Sequence, residues 1–210
     1  VGLSGYGLEI VERVPLEDYE NKSAYLEADT AHELTAEQSK ALGAVITAIE
    51  RDAYTTFLLR GVTGSGKTEV YLQALKRALE LGKSGIVLVP EIALTPQTVR
   101  RFEARLSGVT GIAVLHSAMT DKDRRNEWKR ITSGEARVVI GPRSAVFAPV
   151  KDLGLIVVDE EHEHSYKQDS TPRYHARDVA VMRCHQQNAV CLLGSATPAI
   201  ESAHNAKQGR

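Results

Sequence analysis

Residues 55–81 read TTFLLRGVTGSGKTEVYLQALKRALEL. Residues 55–60 form a short apolar run with the composition of a strand. The helical pattern of residues 68–81 follows, and a glycine-rich loop joins the two. That loop, Gly61-Val62-Thr63-Gly64-Ser65-Gly66-Lys67-Thr68, matches G-x-x-x-x-G-K-[ST] in the strand–loop–helix setting that the motif requires. Its glycines let backbone N–H groups converge on phosphates without side-chain interference, and the helix N-terminus adds partial positive charge. Lys67 is placed to reach the β- and γ-phosphates of a nucleotide, and Thr68 to ligate magnesium.

Outward from this stretch, helices alternate with short apolar strands. A helix capped by Thr35 is predicted to about residue 51. Further strands are predicted at residues 85–90, 111–116, 137–141, 153–159 and 190–194. Helices are predicted from Thr95-Pro96, over residues 120–133, and from Pro172 to about residue 187. Residues 85–90, GIVLVP, are continuously apolar, as a strand buried on both faces should be. Strands joined by helical crossovers predict an α/β fold: a mostly parallel sheet with helices on both faces and ligands outside the carboxyl ends of the strands.

The other motifs fall at those carboxyl ends. Asp159-Glu160-Glu161-His162 closes the apolar run 155–158. Asp159 is assigned to magnesium, directly or through water, and Glu160 to polarising the attacking water. Gly194-Ser195-Ala196-Thr197-Pro198 follows the last strand, where small hydroxyl side chains can relay between the nucleotide site and a second ligand. His162 is the matching relay on the acidic side. Gln38 could bind an adenine edge with its amide, and it also stands at capping-box spacing from Thr35.

The chain has 210 residues, 42% apolar and 25% charged, with no run long enough for a membrane span and no secretory leader at its start. Residues 1–33 hold eight acids and two bases; residues 34–210 hold nineteen acids and twenty-four bases. The main body is therefore mildly basic, which permits nucleic-acid binding. Cys184 and Cys191 sit in apolar surroundings and read as core thiols of a reducing cytoplasm. Residues 1–33 lack sustained periodicity and read as a connector from a preceding DNA-binding domain, with one short strand at residues 8–14. A chain that opens on Val1 and stops soon after a helix begins reads as part of a longer protein.

GVTGSGKTEVY, VLVPEIALTPQ, LHSAMT, GPRSAVFAP, DEEH with SYKQ and RYHARD, and GSATPAIES, in this order between residue 34 and about 202, resemble the PriA family of primosomal DNA helicases (primosomal protein N′). The resemblance implies that residues 34–210 are the first RecA-like lobe of a superfamily 2 helicase, a P-loop NTPase using ATP and Mg²⁺, with Lys67, Asp159 and Glu160 as its catalytic residues. It implies 3′-to-5′ movement on DNA, branched or single-stranded, during replication restart at stalled forks. It also implies partners among the other primosome proteins and a second helicase lobe in the intact chain. Residues 90–97 and 141–149 look like the family's DNA-tracking loops, with Thr95, Arg143 and Ser144 as phosphate contacts. Pro142 stands where a threonine is expected, which removes a hydroxyl and an N–H. Residues 164–177 look like the aromatic-rich loop that couples DNA to ATP hydrolysis, with Tyr166 and Tyr174 as stacking faces and Lys167 and Arg173 as charges. The family's zinc-binding cysteines belong to its later half, so no zinc is expected in residues 1–210.

Four rival readings remain open on sequence grounds. One is a non-catalytic interaction domain, which a lobe without its second half would partly be. A P-loop phosphotransferase explains residues 61–68 but not the ordered set after them. A metal-dependent hydrolase built on His162, Glu163, His164 and His175 lacks the H-E-x-x-H spacing. A double-stranded DNA translocase of the same superfamily would share every motif.

Overall fold

The computed structural model describes residues 33–106 and 108–208. The predicted connector and its strand at residues 8–14 lie outside the described residues, except for Glu33.

Six strands form one sheet: β1 (Thr55–Arg60), β2 (Ser84–Leu88), β3 (Gly111–Val114), β4 (Ala136–Gly141), β5 (Leu153–Val158) and β8 (Val190–Ser195). Their order is β1-β8-β5-β2-β4-β3, and neighbours pair in parallel throughout. Side chains alternate between two cores. Val87, Val138, Ile140, Leu155, Val157 and Leu192 face one core; Ile86, Leu88, Val139, Ile156, Val158 and Leu193 face the other. Strands apolar on both faces cannot sit at a solvated surface, so helices cover both sides.

The first core is covered by α1 (Ala36–Glu50), α2 (Lys67–Glu80) and α3 (Pro96–Leu106), through Leu42, Val45, Leu75 and Phe102. The second is covered by α4 (Asp121–Ser133) through Ile131, by α5 (Ala176–Gln186) through Ala176, Ala180 and Cys184, and by the 3-10 turn Arg143–Phe147. The last described helix, α6 (Ile200–Gln208), follows β8. This is the α/β architecture the sequence predicts, with Thr35 capping α1 and Pro96 opening α3.

The helix expected from Pro172 begins four residues later, at Ala176. A two-stranded hairpin takes its place: β6 (Lys167–Gln168) pairs antiparallel with β7 (Tyr174–His175), and Gln168 Nε2 donates to the Pro172 carbonyl at 2.9 Å. Backbone pairing to residues earlier in the chain thus outweighs the local helix-start signal.

A buried ion pair sets α3 against α2. Arg105 meets Glu69 in fork geometry at 2.8 and 2.7 Å, with the two side chains 8% and 4% exposed, and Gln73 Nε2 adds a bond to Glu69 at 2.7 Å. Removing one partner of such a pair strands the other charge in the interior. Arg105→Met should therefore lower the unfolding free energy by about 3–5 kcal/mol, read from denaturant titration. An unchanged midpoint would show that the pair does not hold α3.

Candidate nucleotide and nucleic-acid site

The sheet carries the motifs to one edge. The phosphate loop follows β1, residues 89–97 follow β2, residues 142–148 follow β4, the acidic run follows β5 and residues 196–199 follow β8. β8 lies between β1 and β5, so the end of β8 separates the phosphate loop from the acids and joins them. Gly61 N–H donates to the Ser195 carbonyl at 3.1 Å, and Glu161 N–H to the Gly194 carbonyl at 3.0 Å.

In the phosphate loop, Gly64 and Gly66 take φ of 79° and 81°, a region that side-chain-bearing residues rarely enter. Ser65 N–H closes on the Val62 carbonyl at 3.1 Å, and Gly66 is the N-cap of α2. Val62, Thr63 and Gly64 are exposed. Lys67 is buried and folds back, donating to the Gly61 carbonyl at 2.7 Å, with Glu160 Oε1 3.5 Å away. Gln38 completes the capping box, taking the Thr35 N–H at 2.8 Å, and its Nε2 also donates to the Ser65 carbonyl at 2.7 Å. Both readings of Gln38 thus meet at one side chain: it caps α1 and lies over the phosphate loop.

Asp159 is held from two sides. Tyr71 of α2 donates its hydroxyl to Asp159 Oδ1 at 3.0 Å, and Tyr166 donates to the Asp159 carbonyl at 2.6 Å. Burial raises the Asp159 carboxyl above its ordinary range and the charge of Glu160 adds to that, while the Tyr71 bond and Lys67 draw it back. Burial, and then the charge of Asp159, push the Tyr71 phenol far up, so it stays a donor. The Tyr71 ring lies where a Cβ on Gly194 would stand, which explains that glycine. Thr68 and Asp159 line one cavity of about 190 Å³ together with Tyr71, Gln97 and Arg101. A hydroxyl and a carboxylate opening on one small cavity, which Val87, Val89 and Phe102 also line, are hard oxygen donors, and they suit magnesium that keeps several waters and phosphate ligands.

Glu160 takes φ of 46°, and Glu163 N–H closes the turn on its carbonyl at 2.9 Å. A non-glycine residue in this region costs on the order of 1–3 kcal/mol and persists only where its surroundings impose it. The turn sends successive side chains in different directions. Glu160 faces Lys67. His162 Nδ1 meets Ser195 Oγ at 2.8 Å, and its Nε2 lies 3.4 Å from Thr197 Oγ1. Ser195 Oγ also accepts the Thr197 N–H at 3.0 Å. The fold thus brings together the three residues read as a relay.

The DNA-side residues divide. Arg143 and Ser144 line a groove of about 300 Å³ with Glu91, Ser117, Arg124 and Gln168. Arg143 donates to the carbonyls of Ser165 and Lys167 at 3.4 and 3.2 Å, tying residues 142–148 to the aromatic-rich loop. Phe147 packs edge-on against Tyr174 at 5.1 Å across the same junction. Thr95 is exposed, and its hydroxyl accepts the Thr98 N–H at the start of α3. Lys167 and Arg173 are exposed and pair only within the loop, with Asp169. Tyr166 is not the stacking face the sequence suggests. It is 1% exposed, its ring belongs to the second core, and its hydroxyl supports Asp159. An apolar ring with a satisfied hydroxyl gains more from burial than from a solvated loop.

Sequence reading missed three residues: Tyr71, Glu161 and Arg177. Tyr71 carried a usable signal, because it lies on the core face of α2 with Ala74, Leu75 and Ala78, and a buried phenol needs a partner. Glu161 and Arg177 carried none beyond their charge.

A family model described as DEAD/DEAH box helicase matches residues 35–206. The chain belongs to the DEAD/DEAH box helicase family. This helicase lobe is 49% identical to replication restart protein PriA of Bacillus subtilis over 84% of its length, and 48% identical to that of Chlamydia pneumoniae over 97%. It spans 22% and 27% of those two proteins, about a quarter of their length. Among solved structures, RecG bound to a three-way DNA junction matches 86% of this chain and 23% of its own, with TM-score 0.64 and 26% identity. A hypothetical ATP-dependent RNA helicase from Sulfolobus tokodaii shares the fold over 84% of this chain and 50% of its own, at TM-score 0.58 and 21% identity. No helix of the described residues is long and apolar enough to cross a membrane.

The raised Asp159 carboxyl has a direct consequence. The folded lobe holds this proton more tightly than the unfolded chain does. The cost of ionising the group is therefore absent below the ordinary aspartate range and complete once pH has risen past the folded-state value. With no nucleotide or metal added, Asp159→Asn should raise the thermal midpoint at neutral pH, and the gain should fade as the pH falls through that range. A gain independent of pH would assign the effect to packing instead.

Proposed function

We propose that residues 34–208 are the ATP-binding first lobe of a replication-restart DNA helicase, with residues 1–33 as the connector from a preceding DNA-binding domain. One observation carries this reading: the phosphate loop, the Asp159–Glu160 turn and Ser195 converge at the carboxyl edge of one parallel sheet. The similarity to PriA proteins supports the replication-restart class, and the likeness to RecG on a DNA junction supports DNA as the second ligand.

Lys67 is engaged by the Gly61 carbonyl and the Glu160 carboxylate. Phosphates in the loop take Lys67 in their place, which leaves Glu160 free to accept a proton from the water that attacks the γ-phosphorus. Thr68 and Asp159 would hold Mg²⁺, which supplies neutralisation of charge on the phosphates. Gln38 keeps one amide hydrogen and one carbonyl lone pair beyond its present bonds, enough to read an adenine edge. His162, Ser195 and Thr197 carry the state of Glu160 towards β8. Arg143, Ser144 and Thr95 are the proposed phosphate contacts. Lys167 and Arg173 are the exposed side of the coupling loop, Tyr174 is its half-buried aromatic face, and Tyr166 serves as its buried anchor. Zinc, other primosome proteins and the second lobe belong to the remainder of the intact protein, which we place in the cytoplasm.

In the full-length protein, Lys67→Ala should abolish ATP hydrolysis while leaving DNA binding intact; retained turnover refutes the assignment. Glu160→Gln should bind nucleotide without hydrolysing it, as read by filter binding. Residues 1–210 alone lack the second lobe's arginines, each worth roughly 10³–10⁵ in rate, and should turn over ATP slower than the full-length protein by that order. Robust DNA-stimulated hydrolysis by residues 1–210 alone would contradict this.

A further inference from the structure

Between the acids placed at the phosphate loop and the histidine that meets Ser195 stands a carboxylate without a part in the proposed reaction. Glu161 is fully buried. Its neighbours face the nucleotide side, and Glu161 faces the interior. Its Oε1 accepts the Ala199 N–H at 2.8 Å, and its Oε2 accepts from Ser202 Oγ at 2.9 Å and from Arg177 Nη1 at 3.1 Å. With its own N–H on the Gly194 carbonyl, this one residue joins the acidic turn to the end of β8, to α5 and to the start of α6.

Local propensity explains none of these contacts. Arg177 lies in the first turn of α5, where the helix dipole disfavours a cation, and its side chain is only 13% exposed. The N–H of Ala199 belongs to the unsatisfied N-terminal groups of α6, which a side chain of the same segment commonly caps. Here the cap comes from 38 residues earlier. A fully buried carboxylate is strongly unfavourable unless paired and hydrogen-bonded, and Glu161 has both kinds of partner. Arg177 also pairs through Nε with the exposed Asp178 at 3.0 Å.

Arg177 stands two residues beyond β7, which closes the loop read as DNA-sensing, and Glu161 stands next to the residue read as the water activator. We infer that Glu161 is a positioning residue: through Arg177 and Ala199 it locks the exit of the DNA-sensing loop and the start of α6 to the turn that aims Glu160. Displacement of that loop by DNA then moves the Glu160 turn as part of one body. This rests on the helicase reading above. The position requires a carboxylate, because a glutamine could keep the Ala199 bond but would turn an amide donor towards Arg177.

The test uses the full-length protein. It compares wild type, Glu161→Gln, the double variant Glu161→Gln/Arg177→Met, which also removes the cation left with Asp178 as its partner, and Ser202→Ala. Basal and single-stranded-DNA-stimulated ATP hydrolysis, binding of a fluorescent ATP analogue and the thermal midpoint are measured for each. Glu161→Gln and the double variant should bind the analogue as wild type does and lose about 5- to 150-fold in DNA stimulation, the span of one site-to-site coupling. The double variant should recover thermal stability without recovering stimulation. Ser202→Ala should show a smaller loss. Full stimulation in a double variant with wild-type stability would overturn the inference and leave Glu161 a purely structural anchor. If the Glu161 variants do not fold, unchanged stimulation in Ser202→Ala overturns it equally. Absence of DNA stimulation in wild type would instead refute the helicase reading.

Discussion

The site depends on where the last strand lies. β8 runs between β1 and β5, with Arg60 opposite Ser195 on one side and Val158 opposite Leu193 on the other. One strand end therefore reaches both the phosphate loop and the acidic turn, through the Ser195 and Gly194 carbonyls and the Ser195 hydroxyl. The absence of a side chain on Gly194 admits the Tyr71 ring, which holds Asp159 from 88 residues away. A bulkier residue at 194 would displace the tyrosine and, with it, the carboxylate.

Around that strand end, the protein accepts unfavourable features where the proposed chemistry lies. Asp159 is ionisable in a place that resists ionisation, Glu160 holds a left-handed backbone, and Lys67 is buried with its charge on a carbonyl and a carboxylate. Such features persist only because the surrounding structure imposes them. The stabilising counterweights lie just behind: the Arg105–Glu69 fork between α2 and α3, and the Arg177–Glu161 pair between α5 and the acidic turn. Both pairs are satisfied and largely dry, which makes the elements they join move together.

The groove on the other side of the edge is tied to the aromatic-rich loop by polar and apolar contacts. Arg143 donates to two backbone carbonyls of that loop. Phe147 against Tyr174 is the apolar part of the same junction. Tyr166 lies deeper in that loop, buried in the second core with its hydroxyl on the Asp159 carbonyl.

Much of this was legible in the chain. The strands at residues 55–60, 153–158 and 190–195 and the phosphate loop come from short-range rules: apolar runs, a glycine turn and a helix N-terminus. Asp159, Glu160, His162, Ser195 and Thr197 were placed by their position just after apolar runs. The exceptions are all long-range. Pro172 signals a helix start, yet pairing of residues 167–168 with 174–175 overrides it. Tyr166 looks like an exposed loop aromatic until the second core closes over it. Glu161 looks like one more acid in a solvated run, since nothing nearby in the chain reveals that Arg177, Ala199 and Ser202 converge on it. The sequence by itself determined the elements and the phosphate loop, because those depend on neighbours within a few residues. Only the tertiary structure decided which carboxylate faces Lys67 of the phosphate loop and which is buried, because that depends on charges and hydrogen-bond partners that meet only once the sheet is assembled.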